Sequence, residues 1–85
     1  MHIYFDTSAV VPLLLLEPHS AIARRAWDAA TGHCLAWRWL KVETEAALVR
    51  RKAGPLVWST WDRLEASFNW IELPDAELEA VCRFN

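Results

Sequence analysis

Two carboxylates stand where chemistry is possible, Asp6 and Glu43. The chain opens "HIYFDTSA" (residues 2–9), in which the apolar run Ile3-Tyr4-Phe5 meets Asp6, Thr7 and Ser8. A carboxylate at the end of a short buried strand has two uses. It can cap the next helix by accepting backbone N–H bonds, which stabilises by about 1 kcal/mol. It can also sit beyond the carboxyl end of a parallel sheet, where open α/β proteins bind ligands. Thr7 and Ser8 cap helices too, so capping alone does not require an aspartate here.

The second carboxylate lies in "WLKVETEAALVRRKA" (residues 39–53). At roughly 100° per residue, Glu43 falls about 40° from Trp39, between Trp39 and Ala46 on one side and Leu40 and Ala47 on the other. Glu45 falls at about 240°, beside Lys41 and Lys52. The pattern predicts an inward-facing Glu43 and a solvated Glu45 paired with Lys41 at i−4. A buried carboxylate calls for a cation. Arg50, two turns along, is one candidate, and a metal ion shared with Asp6 is the other. Two acids at the carboxyl edge of a sheet suit Mg²⁺ or Mn²⁺, hard ions that prefer carboxylate oxygen. Such a site can activate water and neutralise a phosphodiester. Two carboxylates alone hold a divalent ion weakly, so further ligands are expected.

The elements that must position these residues follow from the pattern. Ile3-Tyr4-Phe5 reads as a buried strand. A helix opens at Asp6–Ser8 and carries Val10, Val11 and Leu13 to Leu16, with Pro12 close to its start. Glu17-Pro18-His19 breaks it. A second helix opens at His19 or Ser20, turns Ile22, Ala23, Ala26 and Trp27 to one side, and stops at Thr31-Gly32. Cys34 to Trp37 is a second strand. A third helix runs from about Trp39 to Ala53 and stops at Gly54-Pro55. Val57, Trp61, Leu64, Phe68 and Ile71 mark one face of a fourth. Trp70 to Leu73 reads as a third strand, and Pro74 opens a last helix carrying Leu78, Val81 and Cys82. Strands alternating with helices imply a parallel sheet with right-handed crossovers.

The chain has 85 residues, 54% hydrophobic, with six tryptophans and a net charge of −2, so it describes one packed domain rather than a disordered segment. A domain this small buries only about 60% of its unfolded surface, which leaves a thin stability margin. No net basic charge advertises nucleic-acid binding. Arg24-Arg25 and Arg50-Arg51-Lys52 read as solvated helix faces, although a local positive rim suffices to hold RNA. Cys34 and Cys82 lack metal or redox spacing and read as small core residues of a reducing compartment. The longest apolar run, Ala9 to Leu16, falls well short of the roughly 20 residues of a membrane span. A cytoplasmic protein is expected.

The segments "IYFDTSAVVPLLLLEPHS" and "VETEAALVRR" resemble the N-terminal part of a PIN domain, more narrowly the VapC-type ribonuclease toxins of bacterial toxin–antitoxin modules. "WIELPDAELEAV" is similar to that family's third strand and next helix, so the resemblance spans essentially the whole chain. It implies a PIN-like three-layer α/β/α fold with a parallel sheet, here of three strands and about five helices. Residues 1–85 would form one domain that stops before the helix carrying the family's third acidic residue. The implied activity is metal-dependent cleavage of single-stranded RNA. Asp6 matches the first acidic ligand, Glu43 the second, and Ser8 the hydroxyl that helps hold the Mg²⁺ or Mn²⁺ or its water. The implied partners are RNA, a second copy of the chain and a cognate antitoxin. Asp75, Glu77 and Glu79 precede the expected third acid and read as exposed. With half of the acidic pocket present, weak or absent nuclease activity is expected. The alternative is a non-catalytic PIN fragment that only binds protein or dimerises. A HAD-like phosphotransferase also ends its first strand on aspartate, but requires a second aspartate where Ser8 stands.

Overall fold

Alternation in two short strands sets the architecture. In β1 (Ile3–Phe5), Ile3 and Phe5 are buried and Tyr4 is half-buried. After α1 (Thr7–Leu14) and α2 (Ser20–Ala29), β2 (Cys34–Trp37) repeats the pattern, with Cys34 and Ala36 buried. The strands run parallel with Ile3 opposite Cys34 and Tyr4 opposite Leu35, so the four buried residues share one face. Next come α3 (Arg38–Arg50), α4 (Pro55–Ser67), β3 (Asn69–Ile71) and β4 (Ala80–Cys82). This computed structural model describes residues 3–30, 33–71 and 80–82.

The fold is α/β with a parallel sheet in the order β3-β2-β1-β4. Two right-handed crossovers that step the same way, β1 to β2 to β3, place their helices on the same face. The core bears this out. Ile3, Phe5, Cys34 and Ala36 pack with Val10 of α1, Leu40 and Leu48 of α3, Trp61 of α4 and Phe68. Edge-to-face contacts of Phe5 with Trp27 (5.4 Å) and Phe68 (6.0 Å), and of Trp27 with Phe68 (5.2 Å), fasten α2 and the end of α4 onto β1.

Among the described residues there are four helices rather than about five, and four strands rather than three. Val81 and Cys82 do not belong to a last helix. They pair in β4 with Tyr4 and Phe5. A three-residue strand of small apolar residues has no helical or strand period of its own, and only its neighbour defines it. The remaining positions of that predicted helix, the Glu72-Leu73 end of the third strand and the Thr31-Gly32 stop lie outside the described residues. All four described helices, or the residues at their ends, contribute to the one core cluster with Ile3 and Phe5.

Two helix ends differ from expectation. α1 stops at Leu14, leaving Leu16 96% exposed. The turn that follows is tied by the Ser20 hydroxyl, 2.7 Å from the Pro12 carbonyl and 3.1 Å from that of Leu15, while Ser20 Oγ accepts the Glu17 N–H at 2.8 Å. α3 stops at Arg50, before Gly54-Pro55, because Lys52 adopts φ 53°. Lys52 N–H then donates to the Val49 carbonyl and Ala53 N–H to that of Leu48, closing the helix with the pair of bonds that glycine usually permits. Cys34 is buried as expected, its Sγ 3.7 Å from the Ala30 carbonyl. Among the described residues no helix is long and apolar enough to cross a membrane.

Candidate functional site

Asp6 follows Phe5 directly and so leaves the sheet at the carboxyl end of β1. That position is special in this topology. The chain steps from β1 outward to β2 and β3, then returns to the other side of β1 as β4. The strand order therefore reverses at β1, and such switch points open the crevice in which α/β sheets bind ligands.

Asp6 is also the N-cap of α1. Its extended backbone (φ −88°, ψ 159°) lets Oδ2 accept the Ser8 N–H at 3.1 Å. Capping thus falls to Asp6 itself, not to Thr7 or Ser8. With Asp6 as cap, Pro12 lies past the first turn and forfeits the hydrogen bond to the Ser8 carbonyl. The cap engages only one carboxylate oxygen and turns the Thr7 side chain toward α3. There Thr7 Oγ1 donates to Glu43 Oε1 at 3.1 Å, which brings the first turn of α1 and the second turn of α3 together across 36 residues of sequence.

Glu43 is exposed, not buried. The residues that α3 buries are Leu40, Thr44, Ala47 and Leu48. At 3.6 residues per turn their centre lies about 125° from Trp39, so Glu43 and Glu45 stand on opposite flanks of it. Trp39, at 52% exposure, does not mark the core side, and this displaces the expected apolar sector. Exposed to water, Glu43 needs no buried counter-charge. Among the described residues no ion pair joins it to Arg50, and its hydrogen bond comes from Thr7. Glu45 is the more enclosed of the two. It accepts the indole N–H of fully buried Trp61 at 2.9 Å and pairs with Lys41 at 3.3 Å. Lys41 also pairs with Glu65. Glu45 thus satisfies a buried donor, a structural role that the wheel did not reveal.

Tyr4 is the neighbour that sequence reasoning passed over. Burial raises the pKa of its phenol, the negative charges of Asp6 and Glu43 raise it further, and a backbone hydrogen bond at Trp37 opposes them. The phenol therefore feels both carboxylates. A tyrosine two residues before a strand-end acid is the sequence signal that could have found it, since a long side chain leans along the strand.

The edge thus gathers Tyr4, Asp6, Thr7, Ser8 and Glu43. The donor set suits a hard divalent cation: two carboxylates with hydroxyls beside them. Among the described residues no group of three or more His, Cys, Asp or Glu could hold a metal ion. Asp75, Glu77 and Glu79 lie outside the described residues. Compared with known protein families and with curated proteins, the chain matches neither a family model nor a characterised sequence.

Proposed function

We propose that the chain is a PIN-type endonuclease domain of the VapC toxin class, cutting single-stranded RNA with Mg²⁺ or Mn²⁺, and acting with a second copy and an antitoxin protein as partners. One observation carries the reading: the Thr7–Glu43 hydrogen bond draws Glu43 to the switch-point edge where Asp6 leaves β1. Asp6 and Glu43 would hold the ion. Thr7 holds the Glu43 carboxylate through its hydrogen bond, the α1 cap holds that of Asp6, and Ser8 would supply a further oxygen donor. When bound, the ion supplies a nucleophilic water at neutral pH and neutralises charge on the phosphodiester. With two carboxylates its hold is weak, so cleavage by this chain is slow.

The cap role of Asp6 makes the choice of variant decisive. Asp6→Ala removes both functions and costs about 1 kcal/mol of stability through the lost cap. Asp6→Asn keeps a cap acceptor and removes the charge. The test is terbium luminescence sensitised by nearby tryptophan, together with cleavage of single-stranded RNA in Mn²⁺. Both are measured on this chain and on a version extended past Asn85. Asp6→Asn and Glu43→Ala are expected to abolish the luminescence and lower cleavage by at least about a hundredfold while remaining folded. Variants that bind terbium and cut RNA as wild type does would remove the site.

A second reading, a non-catalytic module that only binds protein, is favoured by the absence of a third acidic residue near the pair among the described residues. It gains ground if neither form of the chain binds the ion.

A further inference from the structure

A notch between α2 and α4 is built from helix faces that the acidic edge does not use. Thr60, Arg63, Leu64 and Ser67 recur at i, i+3, i+4 and i+7 and so share one face of α4. Arg24 and Trp27, three residues apart, share one face of α2. These six residues line a cavity of about 310 Å³. Trp27 lies in the last turn of α2, and Ser67 ends α4 two residues before β3 begins. The notch therefore sits toward the amino ends of the strands, whereas Asp6 follows the carboxyl end of β1.

The lining selects the chemistry of an occupant. It carries two positive charges and, among the described residues, no negative one. Arg63 forms no ion pair among the described residues. Arg24 meets Asp28 only through Nε at 3.5 Å, with both side chains exposed, and a pair of that kind holds a guanidinium loosely. Thr60 and Ser67 have already placed their hydroxyl protons, on the Leu56 carbonyl at 2.9 Å and the Arg63 carbonyl at 3.0 Å. Their oxygens are left to accept, which suits a ligand that brings hydroxyl or amino donors. Trp27, held edge-on by Phe5 and Phe68, forms a fixed apolar wall with Leu64. The matching ligand thus has a compact negative charge, several donors and a flat apolar part. A phosphate monoester offers three oxygens to the two guanidinium forks, one more than a carboxylate. The volume stands at the small end of ligand pockets.

We propose that the notch between α2 and α4 binds a free mononucleotide, with Arg24 and Arg63 on its phosphate and with Trp27 and Leu64 against its base. The site goes beyond the nuclease reading and does not depend on it, because the notch contains neither Asp6 nor Glu43 and needs no metal ion. A ligand held by both helices stabilises the folded chain by mass action.

The test is calorimetric titration of the whole chain with AMP in the presence of EDTA, so that no metal ion at the acidic edge contributes. One saturable site is expected, with a dissociation constant below about 1 mM, together with a higher unfolding temperature at saturating AMP. Adenosine, which lacks the phosphate, should bind at least about tenfold more weakly, and inorganic phosphate, which lacks the nucleoside, several-fold more weakly. Arg63→Gln, at an exposed position, should weaken AMP binding by at least about tenfold with an unchanged circular dichroism spectrum. Failure of AMP to bind, adenosine or inorganic phosphate binding as tightly as AMP, or an Arg63→Gln chain that binds AMP as wild type does would each overturn the proposal.

Discussion

Thr44 is buried completely, and its hydroxyl oxygen has no hydrogen-bond partner among the described residues. It sits on the core side of α3, one residue from the Glu43 that meets Thr7. A buried hydroxyl left unpaired costs about 1–3 kcal/mol, whereas a methyl in the same volume costs nothing in desolvation. Thr44→Val preserves shape and removes the orphan oxygen. It is expected to raise unfolding stability by about 1 kcal/mol, read as a higher urea midpoint at unchanged slope. A lower midpoint would mean that the hydroxyl has a partner in solution, such as a bound water. Glu45 illustrates the opposite situation at the same scale. Its carboxylate looks incidental in sequence, yet it pairs the one polar atom of the largest fully buried side chain, Trp61.

At the scale of the element, the C-terminus of α3 is closed by a residue poorly suited to its conformation. Lys52 sits at φ 53°, the left-handed region that costs a non-glycine residue roughly 1–2 kcal/mol. The two bonds it permits, Lys52 to Val49 and Ala53 to Leu48, satisfy carbonyls that would otherwise be left over. Arg51, just before it, pairs with Glu17 at 2.7 Å and holds this helix end against the turn that follows α1. Lys52→Gly is expected to stabilise by about 0.5–1 kcal/mol, because glycine removes the strain and gives back part of it as unfolded-state entropy. Thermal and urea unfolding should both move upward. Destabilisation instead would show that the lysine side chain contributes packing along its stem.

The whole molecule couples stability to pH through the same edge that gathers the acids. The Tyr4 phenol has its pKa raised from 10.0, first by burial and then by Asp6 and Glu43. Between the unfolded and folded values the unfolded chain binds fewer protons, so stability is full below about pH 10 and falls as pH rises through the folded value. Lys41, raised chiefly by its hydrogen bond to Glu65, acts in the same direction from 10.5. Tyr4→Phe should therefore flatten, without abolishing, the loss of stability in urea titrations between about pH 9 and pH 12. An alkaline limb identical to wild type would mean that neither burial nor the two carboxylates raises the phenol.

The sequence by itself determined the element type where an apolar period is long or a short apolar run is bounded by turn signals, because burial periodicity is local. Ile3–Phe5 and Cys34–Trp37, short and apolar between turn signals, read as buried strands, and Val57, Trp61 and Leu64 read as one face of a helix, whereas Ile71 of that same series belongs to β3 and Val81 and Cys82 to β4. It also placed Asp6 at a strand end, since the change from strand to cap-forming residues occurs within a single step. It could not say which side of α3 is buried. Tryptophan and valine count as core residues on any wheel, and only packing revealed that Trp39, Val42 and Val49 face outward. The sequence brought Glu43 toward Asp6 through burial, whereas Glu43 is exposed and a Thr7 hydrogen bond holds it against the first turn of α1. Nor could it foresee that Ala80–Cys82 would return to β1 and make Asp6 the switch point of the sheet. Strand neighbours far apart in sequence are chosen by edge pairing and crossover handedness, and neither leaves a periodic trace in the residues themselves.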